Sequence, residues 1–213
     1  NSDNLEYTLF AIAHTNGDFS QSIQRGMGWS LFTSTFFYFI DSEDFFDYSN
    51  TIRTLSMMVG ISSIPVMYLI GRKFFDHRYS LVLASFFAFE PHLNYNSTLG
   101  LAEPLFILAT IGAFYFILNH NTRFIIISLI LAGIAYWIRI NGVWVFVVIS
   151  IIYFITKRKS WKLAANFSMA FVAFILVISP IMIERNDSFG DPFYSVYKDA
   201  IFAGNYELML SAI

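Results

Sequence analysis

Apolar residues in this chain come in long runs separated by short polar breaks. Residues 52–71 form one run, which ends on the basic cluster Arg72, Lys73 and Arg78. A second run covers residues 79–90 and closes on the polar stretch HLNYNSTLGLAE. A third spans 104–118, with Pro104 at a permitted first-turn position and the break NHNTR behind it; the last spans 163–183. The hydrocarbon core of a bilayer, about 30 Å thick, needs roughly 20 apolar residues as a helix. Each run therefore predicts a membrane-spanning helix.

The stretch from Phe124 to Ile155 is too long for one span, because 32 residues would make a helix of about 48 Å. Arg139, Asn141 and Gly142 sit in its middle. A charge held at the bilayer centre costs about 2.5 to 3.5 kcal/mol on insertion scales. A turn at Arg139 removes that cost, so the stretch predicts two short spans, and the whole chain predicts an all-α polytopic transmembrane bundle of about six spans.

Charge placement supports this division. Lys and Arg near span ends collect on the cytoplasmic side. With the break at Arg139, Arg72, Lys73, Arg78, Arg123, Lys157, Arg158, Lys159 and Lys162 all fall on one face, joined by the single carboxylate Asp76. The remaining carboxylates fall on the other face or at its boundary, including the patch Asp41, Glu43, Asp44 and Asp47. Merging the two short spans would send the cluster from Lys157 to Lys162 outside.

Composition narrows the class further. The 213 residues are 56% hydrophobic and only 13% charged, half the charged share of a soluble domain, with a mean hydropathy of +0.58. Disorder and collagen-like repeats are excluded. A net charge of −2 argues for no nucleic-acid partner, and the absence of Cys removes disulfides and thiolate metal sites. The chain opens on Asn and closes without a stop feature, which suggests a fragment. The expected organisation is an outer, non-cytoplasmic segment 1–50 whose apolar stretches 3–14 and 29–40 suit helices lying in the interface plane, a core 51–183, and an outer segment 184–213 that starts a later region.

Ionisable groups at membrane depth are functional candidates, and four sets reach the outer boundary: Asp3 with Glu6, Glu90 with His92, Glu103, and Arg139 with Asn141. Each has a plainer reading. Asp3 and Glu6 at a chain start suit solvation. Glu103 before Pro104 suits a helix N-terminus, where a carboxylate meets unpaired N–H groups. Arg139 could reach lipid head groups. His92, Tyr95 and Asn96 suit loop hydrogen bonds, and Asn96-Ser97-Thr98 is also a glycosylation sequon. His14, His77 and His120 have no metal-site spacing, and no carboxylate constellation compels a divalent metal, so no cofactor is expected.

The order of short motifs resembles the lipid-linked-sugar glycosyltransferases of the GT-C type, near the protein O-mannosyltransferase and aminoarabinose-transferase branch. Ser2-Asp3-Asn4-Leu5-Glu6-Tyr7 followed by Gly17-Asp18-Phe19 is similar to that family's first outer loop with its acidic residues. Arg53 with Gly60, then Gly71-Arg72-Lys73-Phe74-Phe75, resembles the following span and its cytoplasmic end. Phe89-Glu90-Pro91 through Leu101-Ala102-Glu103-Pro104 resembles the outer turn bearing a second carboxylate. Ala135-Tyr136-Trp137-Ile138-Arg139-Ile140-Asn141-Gly142 is similar to the span-loop-span with its arginine, and Glu184-Arg185-Asn186 to Phe193 to a later outer loop.

The resemblance implies inverting transfer of a sugar, a mannose-like hexose or a relative, from a polyprenyl or dolichyl phosphate to a protein, lipid or glycan acceptor on the non-cytoplasmic side. It implies Asp3, then Glu6, as the base, with Glu103 as a further catalytic carboxylate. Arg139, with Arg53 and Arg185 as helpers, would bind the donor phosphate, and Glu90, His92 and Asn141 the substrate. An apolar groove between spans would hold the prenyl chain. The competing classes are a transporter core with Glu90, Glu103 and Arg139 along a polar path, and a non-catalytic membrane assembly subunit.

Overall fold

Helix ends in this chain are set by identifiable caps. The computed structural model describes residues 2–19, 26–40, 42, 44–119, 123–156 and 161–194. Asp41, Glu43, His120, Lys157, Arg158 and Lys159 lie outside the described residues, as do the Lys162 side chain and the segment 195–213. Nine helices and no strands occur among the described residues: α1 (Ser2–Thr15), α2 (Gly28–Phe37), α3 (Phe45–Gly71), α4 (His77–Ala88), α5 (Pro91–Leu99), α6 (Glu103–Ile117), α7 (Phe124–Ile138), α8 (Gly142–Thr156) and α9 (Trp161–Phe189).

Asp44 starts α3 by accepting from the Phe46 N–H at 2.9 Å. Asp76, the lone carboxylate among the basic loops, starts α4 by accepting from the Tyr79 N–H at 3.1 Å. Glu90 starts α5 by accepting from the Leu93 N–H. Each cap satisfies a donor that the first helical turn leaves unpaired. At the other end of α5, Gly100 adopts a left-handed conformation at φ 77°, which costs glycine little.

The break expected at Arg139 is present. Helix α7 stops at Ile138, Arg139 is extended at φ −147° and ψ 137°, and α8 starts at Gly142. The chain doubles back so tightly there that a Cβ on Gly142 would lie 2.3 Å from the Tyr136 amide nitrogen. Only glycine fits that crossing.

The six expected runs fall on α3, α4, α6, α7, α8 and α9, but helix length and hydropathy single out two of them. Phe45–Gly71 and Leu163–Phe189 have 27 residues each and are apolar enough to cross a membrane. Helices α6, α7 and α8 have 15 residues each, about 22 Å, and α4 has 12. These short helices follow the short apolar runs almost residue for residue.

Helix α7 is the hub of the core. Its Ile125, Leu129, Ala132, Ala135 and Ile138 are buried, and it packs on α2, α6, α8 and α9. Among the buried residues of α6 are Ala109 and Ala113, small enough for backbones to approach closely. Ser128 Oγ donates to the Ala113 carbonyl at 2.8 Å and Arg139, just past α7, meets Glu103 at the start of α6, so α6 and α7 run antiparallel. Stacked Phe146 and Phe174 rings, 4.3 Å apart, join α8 to α9. Outward faces remain strongly apolar, with Phe86, Phe89, Met58, Leu176 and Ile155 all exposed. Such extended apolar exposure suits lipid contact.

The antiparallel pairing defines two ends. At one, Lys73 Nζ donates to Asn119 Oδ1 at 2.7 Å and lies 5.4 Å from the centre of the Tyr115 ring, gathering the ends of α3 and α6 beside Arg72 and Arg123. At the other, the start of α6 meets the end of α7.

Candidate functional site

Glu103 opens α6 and Arg139 follows the last residue of α7. Arg139 Nη1 donates to Glu103 Oε1, forming an ion pair at the α6–α7 end of the bundle. The side chains are 39% and 27% exposed. A pair so open to solvent contributes about 1 kcal/mol or less to stability, so it orients the guanidinium more than it holds the fold together. The second carboxylate oxygen, Glu103 Oε2, is buried with no hydrogen-bond partner. An unsatisfied buried acceptor is unfavourable in the protein alone and favourable once a ligand hydroxyl reaches it.

The two expectations for carboxylates at this boundary exchange roles. Glu90 is the helix cap, whereas Ala102 precedes α6 with no side-chain cap and leaves Glu103 for Arg139.

The segment from Leu99 to Glu103 is where the rest of the chain converges. Asn4 Nδ2 donates to the Leu99 carbonyl at 2.9 Å, and Asn4 Oδ1 accepts from Ser49 Oγ at 2.7 Å. Trp29 Nε1 donates to the Gly100 carbonyl at 3.0 Å, and Ser56 Oγ to the Leu101 carbonyl at 3.1 Å. Helices α1, α2 and α3 are thereby pinned to one turn. Gly100 has to be glycine twice over: its φ is left-handed, and a Cβ would sit 2.6 Å from Asn4 Nδ2 and 2.9 Å from Ile52. From the other side, Gly26 and Gly28 lie against the backbone at Ile138, where added Cβ atoms would come within 2.4 and 2.7 Å. This brings the start of α2 next to Arg139.

Asp3 and Glu6 occupy one face of α1, since residues three apart are neighbours on a helix. Both are half-buried, and Asn4 between them anchors α1 to the Leu99–Glu103 turn. Arg53 is exposed on α3, beside Gly100, and lines an opening of about 390 Å³ together with Ser2, Asn4, Phe46 and Ser49. Asn141 is exposed on the α7–α8 turn.

Three predicted residues lie apart from this gathering or inside it. Glu90 and His92 sit at the start of α5, a helix length of about 13 Å from Gly100, with His92 exposed. Arg185 is fully buried, its Nη1 donating to Tyr136 Oη at 2.9 Å.

Asn4, Trp29, Gly100 and Tyr136 were not singled out from sequence. The available signal was glycine placement: Gly26-Met27-Gly28-Trp29 and Gly100 punctuate an apolar chain where backbones must touch.

At the far end of α1, His14 is buried with its ring 4.9 Å from that of Phe19. Burial pushes its imidazole below the usual value of 6.5, against opposing contributions from the Ser30 backbone and the Asp18 carboxylate. Among the described residues no three His, Asp or Glu side chains are grouped to hold a metal ion.

A family model described as dolichyl-phosphate-mannose-protein mannosyltransferase matches residues 43–183, more than half of the chain and all of α3 to α8. The match includes Arg53, Glu103 and Arg139, and leaves out α1, α2 and Arg185. Comparison with curated proteins and with solved structures returns no match.

Proposed function

The chain belongs to the dolichyl-phosphate-mannose-protein mannosyltransferase family, and from that premise we propose that it carries part of the active site of a membrane glycosyltransferase. In this reading a mannose-like hexose moves, with inversion, from a polyprenyl or dolichyl phosphate to an acceptor hydroxyl on the non-cytoplasmic side. The observation that carries the reading is the Glu103–Arg139 pair. It lies at a helix break beside the turn where α1, α2 and α3 converge, at the end of the bundle away from Arg72, Lys73 and Arg123.

The chemistry needs a base, a cation for the leaving group, and acceptors for sugar hydroxyls. The acceptor oxygen attacks the anomeric carbon, the bond from that carbon to the phosphate oxygen breaks, and the lipid phosphate leaves with the electron pair. The acceptor's proton passes to a carboxylate, which has to come within about 2.6 to 3.2 Å in the reactive complex. Asp3 is assigned this role first, Glu6 second; both belong to α1, the helix that Asn4 anchors to the Leu99–Glu103 turn.

Arg139 meets the charge growing on the phosphate. A guanidinium is planar, permanently charged and has five N–H donors; Glu103 engages Nη1 and leaves the others for phosphate oxygens. Arg53, exposed on the neighbouring helix, is the second phosphate cation. Glu103 positions Arg139 and, through the exposed part of its side chain, meets sugar or acceptor hydroxyls together with Asn141, and His92 contacts the substrate further out. No step in this scheme runs through a metal. The exposed apolar helix faces suit a prenyl chain lying alongside, which supports a reaction at the lipid boundary.

The test uses the full-length protein in membranes with a labelled polyprenyl-phosphate sugar. Asp3→Asn and Arg139→Ala, at matched expression and folding, are expected to abolish release of the sugar seen with wild type. Unchanged transfer in both, or no donor turnover at all, would favour a transporter core or an assembly subunit.

A further inference from the structure

Among the described residues, Arg185 is the only Arg, Lys, Asp or Glu that is fully buried. A guanidinium cannot shed its proton to ease burial, and an apolar side chain of similar volume would pack there at no greater cost. Its presence on α9 therefore calls for a role beyond filling space. Zero exposure keeps it from direct contact with a substrate in this conformation.

One contact of Arg185 is with the last turn of α7. Its Nη1 donates to Tyr136 Oη at 2.9 Å, and the guanidinium carbon lies 5.6 Å from the centre of the Tyr136 ring, within range of a cation–π attraction. One residue on, Trp137 Nε1 donates to the Val177 carbonyl at 2.6 Å. One turn earlier, Gly133 approaches Val177 so closely that a Cβ would sit 2.7 Å from Val177 Cγ1. The end of α7 is thus keyed to α9 at three successive points.

Arg139 hangs from that same turn. Its N–H donates to the Ala135 carbonyl at 2.9 Å, and its side chain then reaches Glu103. A shift of Tyr136 is a shift of the backbone that aims the guanidinium.

We propose that Arg185 and Tyr136 are positioning residues, which lock the final turn of α7 to α9 and so set where the Arg139 guanidinium meets the donor phosphate. This rests on the phosphate-binding reading of Arg139. A displacement of about 1 Å in a catalytic group can lower the rate by roughly a hundredfold, so small losses of register at Tyr136 are enough to register in kcat.

The experiment is a double-mutant cycle on the full-length protein in membranes, with a labelled polyprenyl-phosphate sugar as donor. It compares wild type, Tyr136→Phe, Arg139→Lys and the double variant, with Arg185→Lys and Arg185→Leu in parallel. Tyr136→Phe keeps the ring and removes only the hydroxyl, so it keeps the idea testable if the Arg185 variants fail to fold. The expected result is a fall in kcat of roughly tenfold or more for Tyr136→Phe, with the donor KM held within about twofold and a lowered melting temperature, because the buried Arg185 Nη1 loses this acceptor; kcat is therefore compared per folded protein. In the Arg139→Lys background Tyr136→Phe should then have little further effect, because residues acting through one another are non-additive. Arg185→Lys should retain more activity than Arg185→Leu.

Multiplying effects, a loss of stability with kcat intact, or a change confined to KM would each overturn the proposal. If Arg139→Lys by itself leaves transfer at the wild-type rate, the phosphate-binding reading fails instead. That outcome is distinct from full activity in Tyr136→Phe beside a crippled Arg139→Lys, which sinks the positioning role alone.

Discussion

Glu103 and Arg139, 36 residues apart in sequence, meet through Oε1 and Nη1 where α6 begins and α7 ends. Neither helix could make the contact without the other, because the carboxylate depends on an uncapped helix start and the guanidinium on a helix that stops one residue earlier. The pair leaves Glu103 Oε2 buried without a hydrogen-bond partner and the Arg139 side chain partly exposed.

The pair's partial exposure separates its two possible effects. Arg139→Ala should change stability by about 1 kcal/mol or less, and should lower transfer by a factor of about a hundred or more if the guanidinium stabilises the departing phosphate. Thermal unfolding in detergent beside the donor-turnover assay measures both. A large loss of stability with proportionate loss of activity would make the pair structural.

Gly100 is predicted to tolerate no side chain. Gly100→Ala meets both a positive φ and a Cβ placed 2.6 Å from Asn4 Nδ2 and 2.9 Å from Ile52 Cγ2, so the turn has to shift. The expected destabilisation is about 2 kcal/mol or more, read as a lowered melting temperature. Gly190→Ala, where φ is also positive but nothing lies within 4 Å, should cost less.

Trp29 and Asn4 hold α2 and α1 on the Leu99–Glu103 turn. Trp29→Phe keeps most of the buried ring but removes the donor to the Gly100 carbonyl, leaving that acceptor unpaired at a cost of about 1 to 3 kcal/mol. Asn4→Ala removes two hydrogen bonds at once. Limited proteolysis should find the region of α1 and α2 cut faster in both variants, with the core from α3 onward still protected.

His14 supplies a pH dependence whose sign follows from burial. Its pKa in the folded chain lies below 6.5, so in the window beneath 6.5 the unfolded chain binds the proton more readily. Stability is then complete above 6.5 and declines as the pH falls through that window toward the folded value. Melting temperatures measured on either side of 6.5 should show the fall for wild type and a flatter profile for His14→Gln.

Much of this architecture was legible in the chain itself. Helical class followed from run length and from charge scarcity, and the break at Arg139 followed from a cost: a guanidinium cannot sit in the middle of a helix that spans lipid. Of the basic residues expected on one face, Lys73 meets the end of α6 at Asn119, while Lys157, Arg158 and Lys159 lie outside the described residues. Of the six expected spans, two form helices long and apolar enough to cross a membrane; the others are runs of 12 to 15 residues whose helices are equally short.

Pairwise choices were not legible for a different reason. Glu90 and Glu103 each precede or begin a helix near a proline, and sequence spacing treats them alike. Only the packing of α6 against α7 decides that Glu103 faces Arg139 while Glu90 turns back to its own backbone. Arg185 is expected from the resemblance as a helper cation for the donor phosphate, and its burial against Tyr136 depends on how α9 lies along α7. Apolar periodicity and charge are local properties carried by each segment, so composition settles which helices form and which end of each avoids basic residues. Which side chains meet is a property of two segments at once, and backbone approach at Gly28, Gly100, Gly133 and Gly142 settles that only when the helices pack.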